Sequence, residues 1–418
     1  MSLSKETASL HDLAWIRQTL QSAIELEYST LPLYLSAMFS LEVQNYTAYN
    51  TIRSVAMEEM THLALASNLL AALGGTPAIK NVQVQYPTQG LPGGVEPDLR
   101  IGLARYSETQ LKNFMRLEEP EFLTGAGDRR ELYPTIGTMY DALKTAFRAN
   151  TDDVVSAVKA STDPANSTAS KQVPDSIGVR RFSYNPDIDP IEMLCAGIDE
   201  ITHQGEGGSI GSVVTGSDFE YEESHYAKFA SLYYGHSYLD PGDIGPVTSE
   251  NEALFFRGAA IAAPVVMNIL AVPADGYEKI LVLDDNAIDG EPGGGVRAQL
   301  DAFDTAYSNM LMTLDTVWNP STTGSWRQLS SNASKMVNYR VFQNTATLQE
   351  QVGGLGSAVH AMMDFRVFTS FNLNRLQVPD SIVRQLSDLY PDEFEYLEAH
   401  TDLSEAVFFG PRFRNTNT

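Results

Sequence analysis

Apolar residues recur at spacings of three and four along several stretches of this chain, which is the pattern of helices with one buried face. In the first stretch that face reads Leu13, Ile16, Leu20, Ala23, Glu27, Thr30 and Tyr34. In the second it reads Ile52, Val55, Glu59, His62, Ala66, Leu69 and Leu73. The pattern predicts two long helices, at about residues 9–43 and 48–73, joined as a hairpin that ends at Gly74 and Gly75.

Two Glu-x-x-His units place a carboxylate and an imidazole on such apolar faces. They are Glu59-Met-Thr-His62 and Glu222-Glu-Ser-His225. Residues three apart lie on the same side of a helix, so each pair can bind one cation. A single unit is more often a solvated surface pair, but two units inside apolar stripes favour a metal site, because a buried carboxylate needs a partner. Glu58 lies about 100° from the stripe, so Glu59 is the preferred ligand.

The remaining ligands follow from how helical bundles hold two metal ions. Such bundles use a Glu-x-x-His unit from each of two helices and a single glutamate from each of the other two. Glu27 is the first single glutamate, whereas Glu25 points to the far side of the same helix. The second is assigned to Glu206, at the edge of an apolar stripe that begins at Ile191. The predicted metal ligands are therefore Glu27, Glu59, His62, Glu206, Glu222 and His225.

Several other polar residues stay open as members of this site. Glu200 lies on the opposite face from Glu206, and His203 is either a partner of a ligand or a surface histidine. Glu118 is an extra ligand or a neighbouring acid; against it, its helix stops at Pro120 and the next helix offers no matching Glu-x-x-His unit. Two tyrosines, Tyr34 and Tyr140, serve hydrogen bonding or electron delivery if they face the site, and are packing residues otherwise.

The chain divides into two predicted units. Residues 1–240 form the metal-binding bundle, interrupted by an insertion at 76–189 and completed by a second ligand-bearing hairpin at about 190–235. Within the insertion we expect helices near 106–119 and 134–150, and an exposed segment or lid at 159–190, which is rich in Ser, Thr, Asp, Asn and Pro. Residues 241–418 form a second, mostly helical unit with a long helix at 296–317 and one or two strands within 265–282.

Composition narrows the possible partners. The chain has 418 residues, with 53 acidic and 28 basic side chains and a formal charge of -25. This charge argues against nucleic acid and anionic membrane surfaces as partners, because phosphate binding needs clustered Lys and Arg. A single cysteine, Cys195, excludes an intramolecular disulfide. The N-terminus lacks a basic start followed by an apolar run, and no apolar stretch reaches the ~20 residues that span a bilayer, so we expect a cytoplasmic protein.

Six ordered segments carry a family resemblance. They read IELEYSTLPLYL (24–35), MEEMTHL (57–63), NLLAALGG (68–75), FMRLEEPE (114–121), QGEG (204–207) and SHYAKF (224–229). Over about residues 10–235 the chain resembles the ferritin-like domain of the iminophenylpyruvate dimer synthase family, whose named members act in violacein and indolocarbazole biosynthesis, and it is similar to the smaller relatives in that family. The resemblance implies a mainly all-α protein built on a ferritin-like four-helix bundle.

The ligand types predict the chemistry. Carboxylates and imidazoles with open coordination positions suit Fe(II), and less exclusively Mn or Zn, so we expect two iron ions bridged by Glu59 and Glu222. Such a pair binds O2, and the protein orients a substrate against it. We therefore expect a di-iron oxidoreductase, an oxidase or oxygenase of a small organic molecule, aromatic or amino-acid-derived, with an electron donor as partner. The alternative is iron oxidation and storage, or peroxide detoxification, without an organic substrate.

Overall fold

The computed structural model describes most of the chain, with gaps. The described residues are 11–41, 46–120, 123, 133–163, 165–166, 172–173, 179–205, 223–239, 247–283, 296–318, 380–400 and 407–417. Two predicted ligands, Glu206 and Glu222, fall outside these ranges.

Eleven α-helices are found in the described part of the chain. In chain order they are α1 (Leu13–Phe39), α2 (Tyr46–Ala72), α3 (Glu108–Leu117), α4 (Ile136–Ala149), α5 (Thr151–Ser161), α6 (Pro190–Gln204), α7 (His225–Tyr234), α8 (Glu278–Leu283), α9 (Val296–Trp318), α10 (Asp380–Leu389) and α11 (Pro391–His400). Two-residue strands, β1 (Ile269–Leu270) and β2 (Phe408–Phe409), pair in parallel. The prediction of a mainly all-α fold is confirmed.

Helices α1 and α2 form a hairpin. Among the described residues, no other two helices contact each other so extensively. Asp12 caps the start of α1 by accepting the backbone N–H of Trp15 at 2.9 Å. At the same, open end of the hairpin, the guanidinium of Arg17 donates two hydrogen bonds to the carbonyl oxygen of Leu73, at 2.8 and 2.6 Å. The chain then turns through Gly74, whose positive φ of 76° favours glycine. These contacts fix the ends of the helices that carry Glu27, Glu59 and His62.

The later helices pair with partners that are distant in sequence. Helix α7 packs mainly along α3, and α6 packs mainly along α4, while both also contact α2. We expected α6 and α7 to face each other as a hairpin, but in the described residues each makes its larger contact with an earlier helix. Ser224 caps α7 by accepting the N–H of Ala227, and Gly235 ends the helix with φ of 70°. His225 is thereby placed at the first turn of α7, facing the bundle.

Part of the segment predicted to be exposed is instead packed against the bundle. Val173, Val179 and Phe182 are buried. The amide of Asn68, in α2, donates to the carbonyl oxygens of Val173 and Arg180 and accepts the N–H of Val173. The expectation of an exposed segment is therefore wrong for these residues, because Asn68 supplies buried hydrogen bonds that composition does not reveal.

The C-terminal helices are joined to the bundle through polar contacts. The indole N–H of Trp318, at the end of α9, donates to Asn68 Oδ1 at 3.0 Å. The carboxylate of Asp315 accepts the backbone N–H groups of Ile79 and Lys80 at 2.8 and 3.1 Å. The side chain of Asn415 donates to the carbonyl oxygens of Lys80 and Val82. The long helix at 296–317 is confirmed, and the boundary at residue 240 stays a prediction. No described helix is both long and apolar enough to cross a membrane.

Candidate metal centre

Five ionisable side chains converge where α1, α2, α3 and α7 meet, and all are almost completely buried. They are Glu27 in α1, Glu59 and His62 in α2, Glu118 at the end of α3, and His225 in α7. They form two groups of three, each with ligand atoms within 4.8 Å of one another: Glu27, Glu59 and His62, and Glu59, Glu118 and His225. Glu59 belongs to both groups, so it lies where a carboxylate would bridge two cations.

In the first group, the Nδ1 atom of His62 faces the two carboxylates. It lies 3.6 Å from Glu27 Oε2 and 3.9 Å from Glu59 Oε1. These separations are too long for direct hydrogen bonds but suit atoms that share a cation, since each metal–ligand bond is about 2 Å. The Glu-x-x-His spacing of α2 puts Glu59 and His62 on one face, as the sequence indicates.

In the second group, the Nδ1 atom of His225 faces Glu59 and Glu118. It lies 2.7 Å from Glu59 Oε1 and 3.6 Å from Glu118 Oε2. The rings of His62 and His225 are nearly parallel, with centroids 5.4 Å apart. The two groups therefore repeat one arrangement: a histidine Nδ1, the shared Glu59, and one outer glutamate.

Each outer glutamate accepts a hydrogen bond from a buried tyrosine. The hydroxyl of Tyr140, in α4, donates to Glu27 Oε1 at 2.5 Å, and the hydroxyl of Tyr34 donates to Glu118 Oε1. The shared carboxylate is held as well, because the hydroxyl of Thr30 donates to Glu59 Oε2 at 3.0 Å. Both tyrosines that the sequence left open face the site. One oxygen of each buried carboxylate accepts a hydrogen bond from a tyrosine or threonine hydroxyl. The other oxygen remains available to bind a metal ion.

The Nε2 atom of each histidine points away from the cluster and finds its own partner. His62 Nε2 lies 2.9 Å from the amide oxygen of Gln204, the last residue of α6. His225 Nε2 lies 2.9 Å from Glu58 Oε2. Lys228 Nζ binds both oxygens of Glu58, at 2.6 and 2.7 Å. If Nε2 carries the proton and donates it to these oxygens, Nδ1 is unprotonated in the neutral ring. Its lone pair then faces the carboxylates and is available to a metal ion.

Burial and the charges of neighbouring groups shift the pKa values of these side chains. Burial, together with the negative charge of Glu118, raises the pKa of Glu59 to about 7. Burial alone would lower the pKa values of both histidines. The nearby negative charges of Glu27 and Glu59 outweigh burial for His62, and those of Glu118 and Glu59 outweigh it for His225, so the pKa values of both histidines rise. Burial also acts to raise the pKa of Glu58, but His225 and Lys228 lower it to about 2.

The cluster is compatible with a metal site. In the part of the chain that the structure describes, the ion pairs of Glu27, Glu59 and Glu118 are all with the two histidines. His225 Nδ1 is buried and makes no hydrogen bond within the described part of the chain, although it lies close to two carboxylates. Carboxylates concentrated in a low-dielectric interior need positive charge, and oxygen and imidazole donors suit divalent iron, manganese or zinc.

Four of the six predicted ligands lie together in this cluster: Glu27, Glu59, His62 and His225. Glu206 and Glu222 lie outside the described residues and stay predictions. The described residues on either side of that gap meet at the site: the backbone N–H of His225 donates to the carbonyl oxygen of Gly205 at 3.1 Å. The sequence leaves Glu118 open as a ligand, because the helix after it carries no Glu-x-x-His unit. It reaches the cluster because α3 packs against α7, which comes much later in the chain.

The other open candidates lie away from the cluster. Glu200 forms an ion pair with Arg180 at 3.1 Å, on the outside of α6. His203 is exposed. Glu25 accepts a hydrogen bond from Gln21 at 3.1 Å, one turn earlier in α1. The prediction that the facing carboxylate of α2 is Glu59 agrees with this geometry, and Glu58 has the separate place described above. Neither the amide of Gln204 nor the acid of Glu58 carried a sequence signal for its role, because each acts on a histidine of another helix.

Comparisons with known proteins cover the family, curated relatives and solved structures. The family model described as ferritin-like matches residues 20–234. The chain is 24% identical over 255 residues to 2-imino-3-(indol-3-yl)propanoate dimerase of Chromobacterium violaceum. This alignment covers 54% of this chain and 23% of that protein. The chain thus aligns with about a quarter of the length of that relative. A solved ferritin-like protein of Caulobacter vibrioides superposes with a TM-score of 0.47 at 18% identity, covering 72% of this chain and 86% of that chain. The chain belongs to the ferritin-like family.

Proposed function

We propose that this protein is a non-haem di-iron oxidoreductase that uses O2 on a small organic molecule, aromatic or derived from an amino acid. The observation that carries the proposal is the pair of Glu and His groups that share Glu59, in which each histidine presents Nδ1 to two carboxylates. The first group, Glu27, Glu59 and His62, would hold one ion. The second group, Glu59, Glu118 and His225, would hold the other. Iron held by these residues would pass electrons from a donor or substrate to O2 and would act as a Lewis acid at the site.

The protein's own residues prepare the centre for this chemistry. The five side chains of the cluster are at most 3% exposed, so bulk water is excluded and electrostatic interactions are strong. The hydroxyls of Tyr34 and Tyr140 donate to the outer carboxylates and hold their orientation. Burial and the charge of Glu118 raise the pKa of Tyr34, so its proton stays on the hydroxyl. Tyr34 is thus a stable donor to Glu118 Oε1.

The substrate class rests on the relative from Chromobacterium violaceum, whose name gives an indole-bearing imino acid as its substrate. An alignment that covers 23% of that protein supports a related chemistry of the bundle, and the substrate itself is part of the proposal. Manganese or zinc in place of iron would suit the same donors. The electron donor that such an oxidase needs is an expected partner.

Metal analysis combined with oxygen uptake tests this function. Protein purified from iron-supplemented cells should contain two iron ions per chain, and His62→Ala or His225→Ala should lower the iron content to one or fewer. Glu200→Gln, which changes a carboxylate on the outside of α6, is the matched control and should keep both ions. Oxygen uptake should rise when 2-imino-3-(indol-3-yl)propanoate or a related aromatic imino acid is added to the iron-loaded protein.

Three results would contradict the proposal. Full metal retention in a Glu59→Ala and His225→Ala double variant would show that metal binds elsewhere. Accumulation of many iron ions per chain, without uptake linked to an organic molecule, would favour iron storage. Peroxide consumption that no organic molecule stimulates would favour detoxification.

A further inference from the structure

We infer that the two halves of the metal centre bind iron with different affinity, and that Glu58, acting through His225, makes the half with His225 the tighter one. This inference rests on the metal-binding part of the proposed function. It concerns two positioning residues, Glu58 and Gln204, which touch the histidines rather than the metal.

The inner sides of the two halves are alike. Each histidine directs Nδ1 at the shared Glu59 and at one outer glutamate, and each outer glutamate accepts a tyrosine hydroxyl. Ligand number and ligand type among the described residues are therefore the same on both sides. Among the described residues, the two halves differ in what holds the far side of each ring.

On the far side of His225 stands a carboxylate. Glu58 Oε2 is 2.9 Å from His225 Nε2, and the ammonium of Lys228 binds both oxygens of Glu58. His225 and Lys228 are three residues apart on α7, so both reach the same acid. Glu58 precedes Glu59 in α2 but faces another direction. Helix α2 therefore supplies both the ligand Glu59 and the carboxylate of Glu58, which contacts Nε2 of the ligand His225. Glu58 and Lys228 are about 15% and 12% exposed, so this ion pair is shielded from water.

On the far side of His62 stands a neutral amide. Gln204 Oε1 is 2.9 Å from His62 Nε2, at the same distance as the acid behind His225. The amide oxygen orients the ring equally well but has no net charge. Within the described part of the centre, the two halves thus differ in the group that faces the same ring atom at the same distance: a carboxylate behind His225 and an amide behind His62.

That difference changes metal affinity. A carboxylate that accepts the N–H of a ligating imidazole fixes the ring and makes its other nitrogen a stronger donor to the metal. Loss of such a partner typically lowers affinity about 10- to 100-fold. Glu58 should therefore strengthen the His225 half relative to the His62 half, and the first iron ion should bind beside His225.

Variants that leave one half at a time separate the two affinities. His62→Ala leaves the half that contains His225, and His225→Ala leaves the half that contains His62. Chelator-treated protein is dialysed under anaerobic conditions against graded free Fe(II), and bound iron is measured at equilibrium. We expect two loading steps in the unchanged protein and tighter binding in His62→Ala than in His225→Ala.

Glu58→Gln is then introduced into each background. In the His62→Ala background it should weaken Fe(II) binding about 10- to 100-fold, and in the His225→Ala background it should leave binding within about twofold. Gln204→Glu is the matched exchange. It should strengthen binding in the His225→Ala background and leave the His62→Ala background unchanged. A merely structural role for either residue would not give effects that depend on the background, nor a gain of affinity.

The outcomes are distinguishable. Equal effects of Glu58→Gln in both backgrounds, no effect in either, or no gain from Gln204→Glu would each overturn the inference. Two ions bound with equal affinity in the unchanged protein would overturn it and leave the proposed function in place. Absence of specific Fe(II) binding to the unchanged protein would overturn both. Circular dichroism melts of the metal-free variants identify unfolded samples; if Glu58→Gln unfolds, Gln204→Glu alone decides.

Discussion

Glu118 is placed in the metal cluster by contacts with three other segments. The hydroxyl of Tyr34 donates to its Oε1, and His225 Nδ1 lies 3.6 Å from its Oε2. A methyl group built on Gly205 would lie 3.8 Å from the same Oε2, so the chain also approaches it closely there. We therefore expect Glu118→Gln, which keeps the shape and removes the charge, to lower the metal content from two ions to about one.

Glu119→Gln is the control for this change. Glu119 is the next residue, half-buried and outside the two ligand groups, so its substitution should leave both ions bound. Metal analysis by mass spectrometry, on samples of equal helical content, measures the outcome. Two ions bound in Glu118→Gln would show that Glu118 is a neighbour of the centre rather than a ligand.

The residues that the sequence located share one property: they lie on the apolar face of their own helix. Glu27, Glu59 and His62 interrupt a continuous stripe, so helical periodicity alone finds them. The role of Glu118 depends on which later helix packs beside α3, and periodicity within one helix holds no information about that. The same limit applies to Glu58 and Gln204, whose histidines belong to other helices.

At the scale of helices and connecting segments, Phe182 shows how the insertion packs against the bundle. Its ring is completely buried and occupies the space above Gly197 in α6, where a Cβ atom would lie 2.4 Å from the ring. Phe182→Ala should lower the free energy of unfolding by about 3–5 kcal/mol, because it opens a cavity at this contact. Chemical denaturation followed by circular dichroism measures the change.

Tyr184→Ala is the matched change two residues later. Tyr184 is 38% exposed and its ring lies under the ammonium of Lys159, so its loss should cost less than about 1 kcal/mol. A similar cost for both substitutions would show that the segment does not depend on Phe182 for its packing.

The helices were predicted more accurately than the segment that holds Phe182. The end of α2 agrees with the stop signal at Gly74, and α4 begins, as the structure shows, after the capping residue Thr135. The residues around Val173 and Phe182 have a composition typical of exposed loops, and their burial depends on Asn68, which lies far away in the sequence. Composition gives only the average polarity of a segment. The packing of the residues around Val173 depends instead on hydrogen bonds to the single amide of Asn68 in α2.

At the scale of the whole molecule, bound metal should contribute directly to stability. Ions that bind only the folded protein stabilise it by mass action, by about 2.7 kcal/mol for each site at a free concentration one hundred times the dissociation constant. Treatment with a chelator at neutral pH should therefore lower the melting temperature by several degrees. An unchanged melting temperature would mean that the cluster holds no ion in the purified protein.

The pH dependence of the two forms should have opposite signs. In chelator-treated protein, the pKa of Glu59 is about 7 against an ordinary value of 4.5, so the folded state takes up a proton first. Its stability should rise as pH falls from about 7 to about 4.5. The raised pKa values of His62 and His225 act in the same direction, because the stability they contribute is lost as pH rises through those values.

Two further effects define the pH window of this test. Glu58 has a lowered pKa of about 2, so its contribution is lost only below about pH 4.5. In iron-loaded protein, protons compete with metal for the same atoms, so stability should fall over the range in which the metal-free form gains it. Melting curves of both forms at several pH values measure this. Parallel curves would show that the carboxylates do not titrate as one buried group.

Helix α1 has a further property, which concerns how the interior opens rather than what it binds. From Leu26 to Phe39 every residue is buried, whereas a helix at the edge of a bundle keeps one polar face in water. Its outer side is covered by later parts of the chain: Tyr86 donates to the carbonyl oxygen of Ser29 at 2.6 Å, and the ring of Tyr307 lies 6.1 Å from that of Tyr28.

No local opening can expose such an enclosed helix, so its backbone amides should exchange with deuterated solvent only when the whole molecule unfolds. Mass spectrometry of peptides from residues 26–39 should therefore show the slowest isotope uptake in the chain. The rate would give the global opening free energy inside the intact protein, without denaturant, and rapid uptake there would show that the surrounding helices separate more easily than their contacts indicate.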